Sequence, residues 1–455
     1  MSPLTYQQAL DYLYSFVDYS LTRQLRYSPE KFDLGRMQAF LKLLGNPHLK
    51  YPTVHVAGTK GKGSTAAMIA SILQAAGYRV GFYSSPHLED FVERIQINQE
   101  PISHEVLAAL VDEVRPAVAR IERLTTFEIT TAVAFLAFLR AGVDVAVVEV
   151  GLGGRLDATN LVQPEVSVIT SISYDHMKVL GETLGQIARE KAGIIKPNTP
   201  VVVAPQRQEA LTVIREVAEQ QAAPWFRVGD DIRYRVASHS LDGQAFWVWK
   251  AADQPEVNRW LEGEVEDWRP LQFEIPLLGA HQVDNAATAF AAVEVLRTRG
   301  WEIPVEAIAR GFQQVRWPGR FEILQREPYL VVDSAHNQDS ALKLRLALED
   351  YFPGRKVVLI FGASEDKDIE GMLRELLPKA QMVIATRSFH PRAIEPEALV
   401  ELVHRLGYPA RVVVPIEEAL AYAMSRVDEN SLVLATGSLF IAAAIRQTWR
   451  ERFRV

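Results

Sequence analysis

A two-unit α/β protein with parallel sheets is what this sequence predicts, and three observations predict it. Short β-branched runs alternate with amphipathic helical stretches along most of the chain. Glycine-rich turns follow two of those runs, after Ala57 and after Glu149. The length, 455 residues, exceeds what one core usually supports, so two or three domains are expected.

The first strand is expected at Thr53–Ala57, running into Gly58-Thr-Lys-Gly-Lys-Gly-Ser64 and a helix near Ala66 to Ala76. The glycines let the backbone turn with its N–H groups inward, and the helix N-terminus adds partial positive charge, so the segment reads as a phosphate cradle. Lys62 would reach terminal phosphates, and Ser64 or Thr65 would put a hydroxyl on Mg²⁺. Aligned on Gly61-Lys62, however, the first glycine of the usual P-loop falls on Val56 and the hydroxyl slot on Gly63. A tight connection is the bland alternative, but three glycines and two lysines in six residues are costly there without a ligand. A nucleoside triphosphate is the expected ligand, and the altered spacing points away from kinases and motor GTPases toward another branch of ATP users.

Further strands are expected at Arg79–Tyr83, Val143–Glu149, Val166–Ile172 and Pro200–Ala204. Ile129–Ala141 is almost wholly apolar and reads as a buried helix. From Trp225 to Pro276, alternating aromatic and polar residues suggest a small appended antiparallel sheet. A helix from about Asp284 to Arg299 closes a first domain, 1–299, of P-loop-type mononucleotide-binding character; Arg299-Gly300 with Pro304 marks a hinge. A second domain, 300–455, is Rossmann-like, with strands near Leu330–Val332, Lys356–Phe361, Gln381–Ala385, Arg411–Val414 and Ser431–Ala435.

Several polar residues sit where open α/β sheets place ligands, beyond the carboxyl ends of strands. Glu149 ends an apolar strand and is a metal candidate, with a helix-capping or surface role as the alternative. Asp175-His176 follows the next strand, where the histidine is either structural or a ligand, although Mg²⁺ prefers oxygen. Lys191, in the helix Leu184–Ile195, lies either on a solvated face or in the cleft, where desolvation would make it a reactive neutral amine. Asp284 would cap its helix, and Asn285 would read an adenine edge. Arg320, in Pro318-Gly-Arg-Phe-Glu322, and His336, in Asp333-Ser-Ala-His-Asn337, would meet the cradle on domain closure.

Composition narrows the classes. The net charge of −7, from 49 basic and 56 acidic residues, argues against nucleic acid and anionic membrane. The absence of cysteine removes disulfides, thiolate metal sites and cysteine nucleophiles. The start has no charged-then-apolar leader and no run reaches membrane-spanning length, so the cytoplasm is expected.

Taken in order, His55-Val-Ala-Gly-Thr-Lys-Gly-Lys-Gly-Ser64, Ser84-Ser-Pro-His-Leu88 with Glu93-Arg-Ile95, Thr125-Thr-Phe-Glu128, Glu149-Val-Gly-Leu-Gly-Gly-Arg-Leu-Asp-Ala-Thr-Asn160, Asp175-His176, Arg189-Glu-Lys-Ala-Gly-Ile194, Gly279-Ala-His-Gln-Val-Asp-Asn285, Trp317-Pro-Gly-Arg-Phe-Glu322 and Asp333-Ser-Ala-His-Asn337 form a specific set. The set closely resembles the folylpolyglutamate synthase/dihydrofolate synthase family of the Mur ligase superfamily, over nearly the whole chain. The resemblance implies ATP-dependent amide ligation: a folate carboxylate is phosphorylated, and the amine of L-glutamate captures the acyl phosphate. It implies that Gly58, Thr59, Lys60, Gly61, Lys62, Gly63, Ser64 and Thr65 hold phosphates, and that Asn285, Arg320 and Asp333 contact ATP. Ser64, Ser85, Glu149, His176 and Lys191 would arrange two Mg²⁺ ions, Lys191 as a carbamate. Lys191, His176, His336 and Arg320 would serve the chemistry. The pterin would meet Phe32, Asp33, Leu34, Gly35, Thr126, Phe127, Glu128, Leu156, Asp157 and Ala158.

The resemblance leaves open whether dihydropteroate is accepted beside tetrahydrofolate, and favours a monomer. Two departures stand out: Lys60 replaces the family's common asparagine, and Ser334 its common glycine. A cell-wall precursor ligase would normally carry a sugar-nucleotide domain ahead of the ATP loop, where only about 50 residues stand. From a different class, a phosphoryl-transfer or nucleotide-switch protein would hydrolyse ATP without needing glutamate.

Overall fold

The computed structural model describes residues 4–17 and 34–452. Eight strands build the first sheet: β1 Thr53–Ala57, β2 Val80–Tyr83, β3 Ile95–Ile97, β4 Glu100–Pro101, β5 Val145–Glu149, β6 Val166–Ile169, β7 Val201–Val203 and β8 Trp225–Arg227. Their order is β4-β3-β2-β5-β1-β6-β7-β8, parallel except where β3 and β4 attach. Both faces are covered, which is why these strands read as continuous apolar runs. Val54, Val56, Val145 and Val147 face one core, and Tyr83, Ala146 and Val148 another. The central strand β1 lies between β5 and β6, so the loops after all three open on the same edge.

The texture change near Trp225 begins later than the sequence suggests. Trp225–Arg227 extends the large parallel sheet as β8, and the antiparallel sheet comprises β9 Ile232–Ser240, β10 Gly243–Lys250 and β11 Leu271–Ile275. Phe246 and Phe273 pack from it against Phe312 and Phe290. The helix expected from Asp284 starts earlier, at Ala280, because Gly279 at φ +99° ends the preceding extended segment. Asp284 therefore caps nothing; it accepts a hydrogen bond from the Tyr234 hydroxyl at 2.7 Å.

The turn at Arg299-Gly300 is not the crossing between the two bodies. Beyond it the helix Val305–Gln314 buries Ile308 and Phe312 in the first core, and its Gly311 lies so close to Ile72 that a Cβ would meet the Ile72 backbone at 2.4 Å. The chain reaches the second body only at Trp317–Phe321. There β12 Glu322–Arg326, β13 Tyr329–Val332, β14 Lys356–Phe361, β15 Ala380–Ala385, β16 Ala410–Val412 and β17 Ser431–Thr436 form a sheet ordered β12-β13-β17-β14-β15-β16. Only β12 runs antiparallel, paired to β13. Among the described residues, no helix is long and apolar enough to cross a membrane.

Candidate active site

The glycine turn after β1 is shaped by what packs behind it. The helix begins at Lys62, four residues ahead of the expected start, with Gly61 in the left-handed region at φ +83°. A Cβ on Gly61 would fall 2.1 Å from Asn285 Oδ1, and one on Gly63 2.4 Å from the Trp317 ring, so neither position admits a side chain. No side chain caps this helix, which leaves its first-turn N–H groups for an anion. The turn is anchored by Thr59 and Lys60 N–H groups donating to the Ser171 carbonyl at 2.9 and 3.0 Å.

This cradle lines a cavity of about 280 Å³ between the two bodies. Gly58 to Ser64, Ser85, Glu149, His176 and Lys191 reach it from the first body, and Arg320, Asp333 and His336 from the second. Thr65 is buried in the helix behind. Glu149, 5% exposed, lies 3.9 Å from Lys62 Nζ and 3.4 Å from the Ser85 N–H. Burial pushes its carboxyl up, against the opposing pull of Lys62 and the Ser85 N–H.

Lys191 points into the cavity rather than onto a solvated helix face. It is 4% exposed, and Nζ donates to the Gly58 carbonyl at 2.8 Å. Burial, reinforced by the Lys62 charge, pushes its amine down to about 7. His176 precedes a short helix in left-handed conformation at φ 49°, makes no side-chain capping bond to it, and lies 3.8 Å from Asp175.

Asp175 turns out to be the hub between the bodies, a role its sequence position hinted at only as a polar residue past a strand. Its carboxylate meets Lys60 at 3.3 Å, Lys367 at 3.6 Å and the Asn337 amide at 3.2 Å. Burial would push that carboxyl up, but the His336 ring at 3.7 Å and the charges of Lys60 and Lys367 outweigh it and hold it well below the usual carboxylate range. Lys60 also lies 3.3 Å from His336 Nε2, while His336 Nδ1 lies 3.0 Å from the Ser334 carbonyl. That network assigns the ring proton to Nδ1 and leaves Nε2 as the acceptor toward Lys60. The Lys60 charge and burial push His336 down to about 4. Lys367 carried no signal in the sequence, since nothing marks which surface-type lysine will face a cleft.

Other candidates also make structural bonds. Asp333 Oδ2 accepts the Phe321 N–H and Oδ1 the Ala335 N–H, both at 2.8 Å, which fixes the turn bearing Arg320. Asn285 donates to Gln282 at 2.9 Å, abuts Gly61 and lines the cavity, so its side chain helps shape the cradle. Asp157 Oδ1 accepts from the Thr159 hydroxyl at 2.5 Å, Thr159 meets buried His55 at 2.9 Å, and Asp157 Oδ2 accepts the Leu152 N–H at 2.9 Å. Leu156 and Ala158 flank it in the same tight segment. Thr126 donates to the Leu13 carbonyl at 2.9 Å, and Glu128 completes a capping box with Thr125, worth about 1 kcal/mol, while pairing with Arg36 at 2.9 Å. Phe127 covers Gly151 at the cavity edge, where a Cβ would meet its ring at 2.4 Å. Leu34 and Gly35 start a helix, and Phe32 and Asp33 lie outside the described residues.

Among the described residues no three His, Cys, Asp or Glu side chains cluster as a ready metal cage. Two hydroxyls and one buried carboxylate beside the cradle suit Mg²⁺ all the same, because that ion commonly keeps few protein ligands and completes its shell with water and phosphate oxygens. His176 and an unmodified Lys191 offer nitrogen, a poor match to the same ion; a carbamate on Lys191 would offer oxygen.

The Mur ligase middle domain matches residues 56–293, and the Mur ligase, glutamate ligase domain matches 319–439. A dihydrofolate synthase/folylpolyglutamate synthase of Bacillus subtilis is 38% identical over 91% of this chain and 94% of its own length. A probable bifunctional folylpolyglutamate synthase/dihydropteroate synthase of Haloferax volcanii is 37% identical over 98% of this chain, which spans only 51% of that relative. Folylpolyglutamate synthase of Mycobacterium tuberculosis, solved with ADP and AMPPCP, superposes with a TM-score of 0.81 at 34% identity, covering 91% of this chain and 94% of that one.

Proposed function

Because the chain belongs to the folylpolyglutamate synthase/dihydrofolate synthase family of Mur ligases, we propose that it uses ATP to join L-glutamate to a reduced folate through an acyl phosphate. The observation that carries this reading is the convergence of the glycine cradle, buried Glu149 and buried Lys191 with Arg320 and His336 of the other body on one cavity. On this reading the first body, including the Val305–Gln314 helix packed on it, is the ATP-binding part, and the body that follows Trp317–Phe321 is the glutamate-ligase part.

Two anions must meet for the first step, the substrate carboxylate and the ATP terminal phosphate. Lys62, the cradle N–H groups and Arg320 lower that repulsion by placing positive charge where it develops. Ser64, Ser85 and Glu149 would hold Mg²⁺, which when bound would supply neutralisation of phosphate oxygens. A carbamate formed on the neutral amine of Lys191 would join His176 at a second ion. A carboxylate oxygen attacks the γ-phosphorus and ADP leaves; the glutamate amine then attacks the acyl carbon, and phosphate departs with that oxygen. Closure of the two bodies excludes the water that would hydrolyse the acyl phosphate. His336, a weak base facing Lys60, serves binding at the interface and not proton removal.

The pterin end would rest near Phe127 and the Glu149–Leu152 loop, with Thr126, Glu128 and Asp157 shaping the wall. The reading includes no nucleic-acid or membrane partner, and takes the protein as a cytoplasmic monomer. Purified protein should release ADP only when tetrahydrofolate and L-glutamate are both present, and mass spectrometry should find folate extended by glutamate. ADP release indifferent to glutamate would instead make it a nucleotide switch. Extension of dihydropteroate in a parallel reaction would add the dihydrofolate synthase step.

A further inference from the structure

Two loops must be in place for this site to work: the one after β2 that carries Ser85, and the Trp317–Phe321 turn that carries Arg320. They belong to different bodies, and neither is a regular element. Both converge on one side chain far along the chain, Arg446, on the helix Leu439–Arg452.

Arg446 is largely buried between two carboxylates. On one side its guanidinium pairs with Glu89, which Arg450 also engages. On the other, Nη2 donates to Glu322 Oε1 at 3.1 Å and Nε lies 2.7 Å from Oε2. Each carboxylate is wired into one of the loops. Glu322 Oε2 accepts the Gly319 N–H at 2.7 Å, one residue before Arg320. Glu89 sits four residues after Ser85, in a turn whose Leu88, Glu89 and Asp90 N–H groups all donate to Glu93 at 2.7 to 3.2 Å. The two loops also touch directly, since a Cβ on Gly319 would lie 3.2 Å from Leu88 Cδ1. The Arg320 turn is held against backbone strain at Phe321, a bulky residue at φ +42°.

We infer that Arg446 is a positioning residue for the ligation: it clamps the Ser85 loop to the Arg320 turn, so that the groups on either side of the transferring phosphoryl group stand at reacting distance. The inference rests on the ligase reading of the same site. Arg446 touches neither the cradle nor the cavity, so nucleotide binding does not need it. The planar fork matters, because it satisfies two carboxylates at once where an ammonium would satisfy one.

Glutamate-dependent ADP release and ADP affinity are measured for the wild-type enzyme, Arg446→Met, Arg446→Lys, Glu89→Gln and the Glu89→Gln/Arg446→Met double variant, with thermal unfolding of each. Arg446→Met should lower kcat about 10- to 100-fold, as displaced reacting groups do, while the Kd for ADP stays within about twofold. Arg446→Lys should fall between it and wild type, and the double variant should be no slower than Arg446→Met. If Arg446→Met does not fold, Glu89→Gln carries the same test with the same expectation. A kcat within twofold of wild type, or a loss matched by equal loss of ADP binding and folded protein, overturns the role of Arg446. Absence of glutamate-dependent turnover in the wild type overturns the ligase reading itself, a separate outcome.

Discussion

Replacing Lys191 with methionine is expected to lower amide formation by about 10³-fold while leaving a folded protein at least as resistant to heat as the parent. The two halves of that expectation come from the same burial. An amine that donates to the Gly58 carbonyl inside the cavity, and whose pKa has fallen to about 7, is substantially neutral at neutral pH. A neutral amine can add carbon dioxide; an ordinary lysine ammonium cannot. The same depression means that the folded state disfavours the charged form. Below about pH 7 the cost is complete, and it is relieved as pH rises from there toward the unfolded value of 10.5. Removing the amine removes the cost, so a methionine variant should not lose stability at pH 7. Steady-state turnover and differential scanning calorimetry check the two halves, and intact-mass measurement of the parent with and without bicarbonate checks for the carbamate. Near-normal turnover in the variant would exclude Lys191 from the mechanism.

Glu149→Gln should lose about 100-fold or more in turnover, again without loss of fold. The carboxylate is buried, and burial pushes its pKa up, so the folded state carries a penalty for its charge. Its folded pKa stands above the unfolded one, so that penalty is absent below the unfolded pKa and grows as pH rises from there toward the folded one. Glutamine keeps the shape and an acceptor toward the Ser85 N–H, drops the penalty, and leaves Lys62 without its partner at 3.9 Å. These changes oppose each other, and a melting temperature within a few degrees of wild type is expected. What glutamine cannot do is neutralise a divalent ion, so the Mg²⁺ concentration for half-maximal turnover should rise steeply. An unchanged Mg²⁺ requirement would argue that Glu149 is a packing residue whose charge serves nothing.

Much of the architecture was legible because its causes are local. Buried parallel strands need apolar faces on both sides, and Val145 to Val148 or Val166 to Ile169 announce that in a few residues. The cradle was legible for a related reason: glycines at 58, 61 and 63 are backbone requirements, and the clashes with Asn285 and Trp317 show how strict two of them are.

What the sequence left hidden depends on distant partners. Trp225 to Arg227 joined the parallel sheet because a free edge beside β7 was available, which the aromatic texture alone did not reveal. That Glu128 and Asp157 would also bond within the chain, through the capping box, the Arg36 pair and the Thr159 hydroxyl, was not legible either. The lysine standing where the family often has asparagine became intelligible only when Asp175 and His336 arrived beside it from opposite sides of the interface. Lys60 adds charge to the loop, but the structure directs that charge at the seam between the bodies. Arg446 had no signature at all, because a salt-bridged arginine on a C-terminal helix resembles any solvated one.

On the proposed function, the cavity brings a folate carboxylate onto the terminal phosphate of ATP, so that one oxygen passes from acid to phosphate. Folate whose reacting carboxylate carries a heavy oxygen isotope, turned over with ATP and L-glutamate, tests this directly by mass analysis of the released phosphate. One heavy atom in each phosphate formed is the predicted result. Phosphate free of the label, formed while the glutamyl product accumulates, would contradict activation by phosphoryl transfer and with it the account of the site.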